Sequence, residues 1–401
     1  MTDFSRFLAE RTASMKASEI RELLKYASVP GVISFAGGLP NPKSFPVEGL
    51  KKITDKVLSE KGSVALQYGT TEGVPELRRA IAKRMREQKG FKADEKNTII
   101  MSGSQQALDI LGKLYMEPGK VAIVEGPTYL AALGAFRPYG GEIVGVRMDE
   151  NGLDTNLLEE TMKKLKAEGK VVPFIYTIPT FQNPSGVTMS EERRKHLLEI
   201  AGDYDVMVIE DDPYGELRYA GKELPNLKAL DQDGRVVYFG TVSKILAPGL
   251  RTGWVIGSEE IVGKFVIAKQ AADLCTNTLS QHIIAEAFSG GVLDRHIPEI
   301  RKLYSAKRNL MLDALEDSMP EGVTWTKPEG GMFLWVWVPE KINTKEMFTT
   351  ALEKKVAYVI GEAFYPDRSV KNAMRLNFTF SSDEEIKDGV KRLADTIRGY
   401  I

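Results

Sequence analysis

The sequence predicts an α/β protein in which a large unit, built on a mostly parallel and doubly wound sheet, is followed by a smaller α+β unit. Three observations carry this expectation. Six short runs rich in Val and Ile, at residues 98–101, 121–124, 172–178, 206–209, 236–239 and 252–256, are continuously apolar, as strands buried on both faces are. Amphipathic helical segments such as 104–115 and 190–204 separate most of them, and such alternation builds a parallel sheet with helices on both faces. After about residue 305 the pattern changes to long helices, the aromatic run Met332-Phe333-Leu334-Trp335-Val336-Trp337, and a strand over 374–380.

In chain order, the first thirty residues read as a helical arm, followed by the loop Gly37-Gly38-Leu39-Pro40-Asn41-Pro42. Residues 1–45 are assigned to this arm and part of the smaller unit, 46–304 to the large unit, and 305–401 to the smaller one. Arg78, Arg79, Lys83, Arg84 and Arg86 read as a solvated helix face. Thr188 and Glu191 have capping-box spacing just before the helix that precedes the fourth run. Seven positions lie between Ser243 and Arg251, too few for a helical crossover. The strand beginning near Thr252 should therefore run antiparallel to the one ending near Thr241.

Composition excludes several classes. The 401 residues are 43% hydrophobic and 27% charged, an ordinary globular balance. Lys and Arg number 54 against 55 Asp and Glu, a net charge of −1, so no whole-protein field attracts nucleic acid or an anionic membrane. With Cys275 as the single cysteine no internal disulfide can form, which suits a reducing compartment. His196, His282 and His296 are not at ligand spacing, so no metal site is expected. The N-terminal stretch is charged, and no run approaches the roughly 18 apolar residues of a membrane span. The expected location is the cytoplasm, and the expected partners are small molecules.

Chemistry gathers where strands end, the usual ligand edge of an open parallel sheet. Gly103-Ser104-Gln105 follows the first run and opens a helix, whose free N–H groups suit a phosphate. Tyr129 follows the second run, Asn183 the third, Asp211 and Tyr214 the fourth, and Ser243 and Lys244 the fifth, with Arg251 beyond. Each piece alone also fits a plain role. Gly-Ser can be a cap, Asn183-Pro184-Ser185-Gly186 a turn, Asp211 and Asp212 loop charges, Lys244 and Arg251 surface residues. Together, residue types and spacing indicate an α/β protein that binds a small phosphate-bearing ligand.

These motifs, with Ala36-Gly37-Gly38-Leu39-Pro40-Asn41-Pro42, Gln67-Tyr68-Gly69 and Met374-Arg375-Leu376-Asn377-Phe378, resemble the fold-type I (class I/II) pyridoxal-phosphate-dependent aminotransferases over essentially the whole chain. The likeness is greatest to the group acting on 2-aminoadipate, kynurenine and aromatic amino acids. It implies an aspartate aminotransferase-like large domain with a seven-stranded sheet. It also implies pyridoxal 5′-phosphate bound to Lys244 as an imine, Asp211 on the pyridine nitrogen, and Asn183 and Tyr214 on the phenolic oxygen. Tyr129 would stack on the ring. Gly103, Ser104, Gln105, Ser243 and Arg251 would hold the phosphate. Tyr68 would reach the phosphate of a neighbouring subunit, making a homodimer with composite sites. Arg375 would grip the substrate α-carboxylate, with Asn183 and Gly38 beside it and Arg21 near an acidic side chain. Trp254, Tyr26 and Phe364 are candidates for the pocket wall, although Trp254 also reads as core.

The activity implied is transfer of an amino group from an L-amino acid to a 2-oxo acid such as 2-oxoglutarate by ping-pong kinetics. A β-lyase on the same scaffold is one alternative. A regulator-type ligand-binding domain is another, but the stretch ahead of the large unit has no room for a DNA-reading module.

Overall fold

The structure, a computed structural model, describes residues 3–15 and 30–401. After β1 (Ile33–Ser34), the large sheet is made from β2 (Thr98–Met101), β3 (Val121–Gly126), β4 (Glu142–Asp149), β5 (Gly152–Leu153), β6 (Phe174–Thr177), β7 (Met207–Asp211), β8 (Val236–Thr241) and β9 (Gly253–Ile256). Its order is β2-β9-β8-β7-β6-β3-β4-β5. From β8 to β4 all neighbours are parallel, while β9 is antiparallel to both β2 and β8, as the short connection from Ser243 to Arg251 required. The sheet has eight strands rather than seven. The extra one is β5, two residues that fold back on the end of β4. No apolar run announces β4, because several of its residues are exposed and one is buried; a strand with a wet face lacks the continuous Val/Ile signature.

The helices are α1 (Val47–Ala65), α2 (Pro75–Arg84), α3 (Ser104–Tyr115), α4 (Leu130–Phe136), α5 (Thr155–Ala167), α6 (Glu191–Asp203), α7 (Leu227–Leu230), α8 (Glu259–Gln270), α9 (Thr278–Ser289), α10 (Val292–Ser318), α11 (Thr344–Glu353) and α12 (Asp383–Arg398). The capping expectation at α6 fails. Ser190 is the N-cap and accepts from Arg193 N–H at 3.3 Å, while Thr188 Oγ1 accepts from Phe181 N–H. A reciprocal capping box does occur at α12, between Ser382 and Glu385, where such a cap contributes about 1 kcal/mol.

The remaining strands, β10 (Thr324–Trp325), β11 (Phe333–Trp337), β12 (Val356–Ala357), β13 (Val359–Ile360) and β14 (Ala373–Asn377), form an antiparallel sheet in the order β10-β11-β14-β13, while β12 pairs in parallel with β1. Besides smaller clusters, one of which packs β3, β6 and β7 against α5 and α6, two large apolar cores result. One lies on the large sheet; the other gathers Ile33 and Phe35 with Leu334, Trp335, Leu376, Ile386 and Leu393. Helix α10 belongs to both, giving Leu293, Ile297, Ile300 and Tyr304 to the first and Met311 and Leu315 to the second.

Two other expectations change. The arm over the first thirty residues contains two short 3-10 turns, Ser5–Phe7 and Glu10–Ser14, where it is described; Arg21 and Tyr26 lie outside the described residues. The basic cluster near residue 80 is not merely a solvated face. Arg84 bonds Glu216 at 2.6 and 2.9 Å and Asp294 at 2.8 Å, and Arg78 Nε donates to Thr98 O at 2.9 Å. Basic residues along a helix look alike whether they face water or a neighbouring element, so the pattern could not separate the two. No helix among the described residues is long and apolar enough to cross a membrane.

Candidate active site

The carboxyl ends of β6, β7 and β8, the start of α3 and the inner face of β14 enclose one cavity of about 350 Å³. Lys244, Asp211, Tyr214, Asn183, Tyr129, Ser104, Gln105, Ser243, Arg251, Gly38 and Arg375 all line it. Residues far apart in sequence therefore meet because parallel strands end on one edge and the antiparallel sheet closes over them.

Lys244 sits three residues beyond β8 and donates from Nζ to Gly38 O at 2.9 Å. Burial, with the nearby charges of Arg375 and Arg251, pulls its pKa down to about 8. A lysine so placed has a substantial neutral, nucleophilic fraction near neutral pH.

Asp211 ends β7 and is 2% exposed. Its Oδ2 accepts from Tyr176 Oη at 2.7 Å, while Oδ1 is buried with no partner. Burial foremost, then the charges of Asp212 and Glu125, push its pKa up to about 7 against the Tyr176 hydrogen bond. A buried acceptor without a donor costs about 1–3 kcal/mol, a cost that a protonated ring nitrogen placed against Oδ1 would remove.

Arg375, in β14, is 1% exposed. Its Nη1 donates to Asn183 Oδ1 and its Nη2 to Ala36 O, both at 2.9 Å, and Nε has no partner. The guanidinium lies 4.1 Å from the Phe333 ring centroid and 5.3 Å from that of Phe364. Burial lowers its pKa to about 10. Among the described residues no carboxylate pairs with it, so a buried cation faces the cavity with planar donors for a bidentate anion.

Asn183 Nδ2 lies 3.4 Å from Tyr214 Oη, and burial raises the Tyr214 pKa. The loop bearing Asn183 is fixed from behind. Gln182 Nε2 donates to Glu125 Oε2 and to Pro127 O, and Gln182 Oε1 accepts from Ser185.

The expected phosphate seat combines a helix start with a cation. Gly103 has φ +78°, and a Cβ there would lie 2.6 Å from Arg251 Nη2, so only glycine lets the guanidinium approach. Arg251, itself left-handed at φ 48°, donates to Pro248 O and Ser102 O. Ser243 Oγ is 2.9 Å from Thr241 Oγ1. Ser104 and Gln105 open α3 beside this cluster, where the first N–H groups of a helix lack intrahelical acceptors.

Gly103 supports Arg251 without lining the cavity. Tyr68 is 79% exposed and lies outside it. Trp254 is core, packed over Gly240, and Phe364 backs Arg375 rather than lining the wall. Sequence reasoning missed Tyr176, Ile178 and Phe333. The first lies inside an apolar strand and the last inside an aromatic run, where nothing distinguishes a site residue from core. The residues present fit pyridoxal phosphate: an amine for its aldehyde, an orphaned buried carboxylate oxygen for its ring nitrogen, a phenol and an amide for its phenolic oxygen, and a helix start with an arginine for its phosphate.

Residues 37–393 match the family described as aminotransferase class I and II. Aromatic-amino-acid aminotransferase 1 of Thermococcus litoralis is 53% identical over 99% of this chain and 95% of its own length. The 2-aminoadipate transaminase of Thermus thermophilus is 38% identical over 99% of this chain and 98% of its own. Among solved structures, Pyrococcus horikoshii kynurenine aminotransferase, in complex with PMP, KYN as substrates and KYA as products, superposes with a TM-score of 0.96 at 51% identity, covering 100% of this chain and 98% of that one.

Proposed function

The chain belongs to the class I and II aminotransferases, and on that footing we propose that it moves the amino group of aromatic L-amino acids, kynurenine, 2-aminoadipate or glutamate to a 2-oxo acid, 2-oxoglutarate first among them. It is an enzyme, and pyridoxal phosphate is its cofactor. When bound, that cofactor supplies an aldehyde that exchanges between amines and a ring that takes up electrons released at the substrate α-carbon.

Lys244 Nζ would hold the cofactor through its aldehyde and, when free, would be the group that moves a proton at the substrate α-carbon. Asp211 Oδ1 holds the proton on the ring nitrogen. Asn183 and Tyr214 hydrogen-bond the phenolic oxygen, and Tyr129 packs on the ring. Ser104, Gln105, Ser243 and Arg251 bind the phosphate, with the Gly103 turn setting their spacing. Arg375 binds the α-carboxylate of donor and acceptor alike, so one site serves two substrates in turn and ping-pong kinetics follow. The single observation that carries this reading is Asp211: a buried carboxylate with one unpartnered oxygen, on the wall of the cavity that holds Lys244.

The wall supports aromatic donors. Leu39, Tyr129, Ile178 and Phe333 are apolar or aromatic, and among the described lining residues Lys244, Arg251 and Arg375 are the only cations. Acidic side chains would need a further cation, the role proposed for Arg21. Tyr68, with its exposed neighbours Val64 and Leu66, supports a homodimer in which it completes the partner's phosphate site.

The test is single-turnover absorbance of the cofactor-loaded enzyme with a panel of L-amino acids, followed by 2-oxoglutarate. Aromatic donors, kynurenine and 2-aminoadipate should bleach the aldehyde form, and 2-oxoglutarate should restore it. No spectral change with any donor would overturn the assignment. Ammonia released without an acceptor would mark a lyase instead.

A further inference from the structure

The turn that seats the phosphate is held from outside the cavity by a closed ring of hydrogen bonds. Lys269, in α8 and fully buried, donates from Nζ to Asp273 Oδ1 at 2.6 Å and to Gln106 Oε1 at 3.0 Å. Gln106 Oε1 also accepts from the backbone N–H of Ser102 at 2.8 Å. Ser102 Oγ donates to Asp273 Oδ2 at 2.7 Å, which closes the ring. Ser102 precedes the left-handed Gly103, and Gln106 lies in the first turn of α3 beyond it. The ring therefore fixes the chain on both sides of the glycine. It reaches Arg251 too, because the Ser102 carbonyl accepts from Arg251 Nη2 at 3.4 Å.

From this geometry we propose that Lys269 is a positioning residue for the cofactor phosphate, acting through Ser102 and Gln106 and touching neither cofactor nor substrate. The inference rests on the pyridoxal-phosphate reading above. Placing an ammonium in the interior is costly, and a thioether or aliphatic chain would fill the same space without that cost. Lys269 supplies what those cannot, donors to a carboxylate and an amide oxygen at once. Asp273 opposes the burial that works to neutralise the ammonium. Networks of this kind stiffen a single geometry only when every member is satisfied, and here each bond of the ring is made. The N–H groups at the start of α3 and the Arg251 guanidinium must converge on one small anion, so a slack turn would spread both.

The test compares two ligands that differ only in the phosphate. Dissociation constants for pyridoxal phosphate and for pyridoxal are measured on wild type, Lys269→Met and Lys269→Arg, with circular dichroism and thermal melts reporting the fold. Lys269→Met should weaken pyridoxal phosphate about tenfold or more, on the scale of one or two lost charge-assisted bonds, and weaken pyridoxal less than twofold. Lys269→Arg should recover part of the loss. Equal weakening of both ligands would reduce the ring to general scaffolding and overturn the proposal, as would unchanged phosphate-cofactor affinity. Should Lys269→Met fail to fold, Ser102→Ala opens the same ring from a half-buried position and must give the same phosphate-selective pattern. Wild type that binds neither ligand would instead sink the underlying cofactor reading.

Discussion

Lys244 and Asp211 stand at or within three residues of the end of a buried strand of the large sheet, whereas Arg375 lies inside a strand of the small one. The first two owe their place to the direction of their own strands. Arg375 owes its place to partners 192 and 339 positions away, Asn183 and Ala36. The half proposed to react is thus set by local chain direction and the half proposed to grip by tertiary assembly. Damage to the two halves should look different: loss of turnover from one, loss of affinity from the other.

The largest effect tests the reactive half. Lys244→Ala should lower turnover on the order of 10⁴-fold, removing both bond-forming amine and proton carrier, and abolish the lysine-bound cofactor absorbance. Full activity in this variant would end the comparison. Asp211→Asn should cost on the order of 10²–10³-fold in kcat, the scale of one preorganised electrostatic partner, with KM for the amino acid little changed. If KM rose instead while kcat held, Asp211 would belong to the grip.

Arg375→Ala should raise KM for donor and acceptor by about 10²-fold, since truncating one partner of a buried charge pair costs some 2–5 kcal/mol. The same variant tests whether the halves are electrically linked. With its pKa lowered to about 8 by burial, Arg375 and Arg251, Lys244 must shed a proton to attack the aldehyde. Cofactor reconstitution should therefore accelerate with pH and level off above about 8, and removing the Arg375 charge should move that plateau to higher pH. An unmoved plateau would show that the halves do not sense each other.

The smallest effect concerns the cofactor-free protein. The Asp211 carboxyl titrates near 3.8 when unperturbed and near 7 when folded. Between those values the folded state holds a proton that the unfolded state has released. Its contribution to stability is thus fully present at low pH and fades as pH rises towards 7. Thermal melts between pH 5 and 7.5 should show a shallower decline in Asp211→Asn than in wild type. Identical slopes would mean that Asp211 carries no such strain before cofactor binds.

What was legible in the sequence follows the same division. Strands buried on both faces announced themselves as Val/Ile runs, and their ends pointed to Asn183, Asp211, Tyr214 and Lys244. β4 escaped because its exposed face breaks the run. The Tyr176 partner of Asp211 escaped because a phenol inside a strand looks like core until the neighbouring strand is in register. Arg375 was reached through family likeness rather than through any local physical signal, as its pairing with a carbonyl near residue 36 would lead one to expect. Thr188 and Ser190 compete for the same cap, and spacing alone chose the wrong one.

The short stretch Ala36–Gly38 gives one carbonyl to Arg375 and another to Lys244. Neighbouring main-chain bonds, from Phe35 N–H to Ala357 O and from Asn377 N–H to Phe35 O, tie it to the small sheet. One strip of peptide thus meets two cations of the site, so a change that shifts residues 36–38 would be felt at Arg375 and Lys244 together.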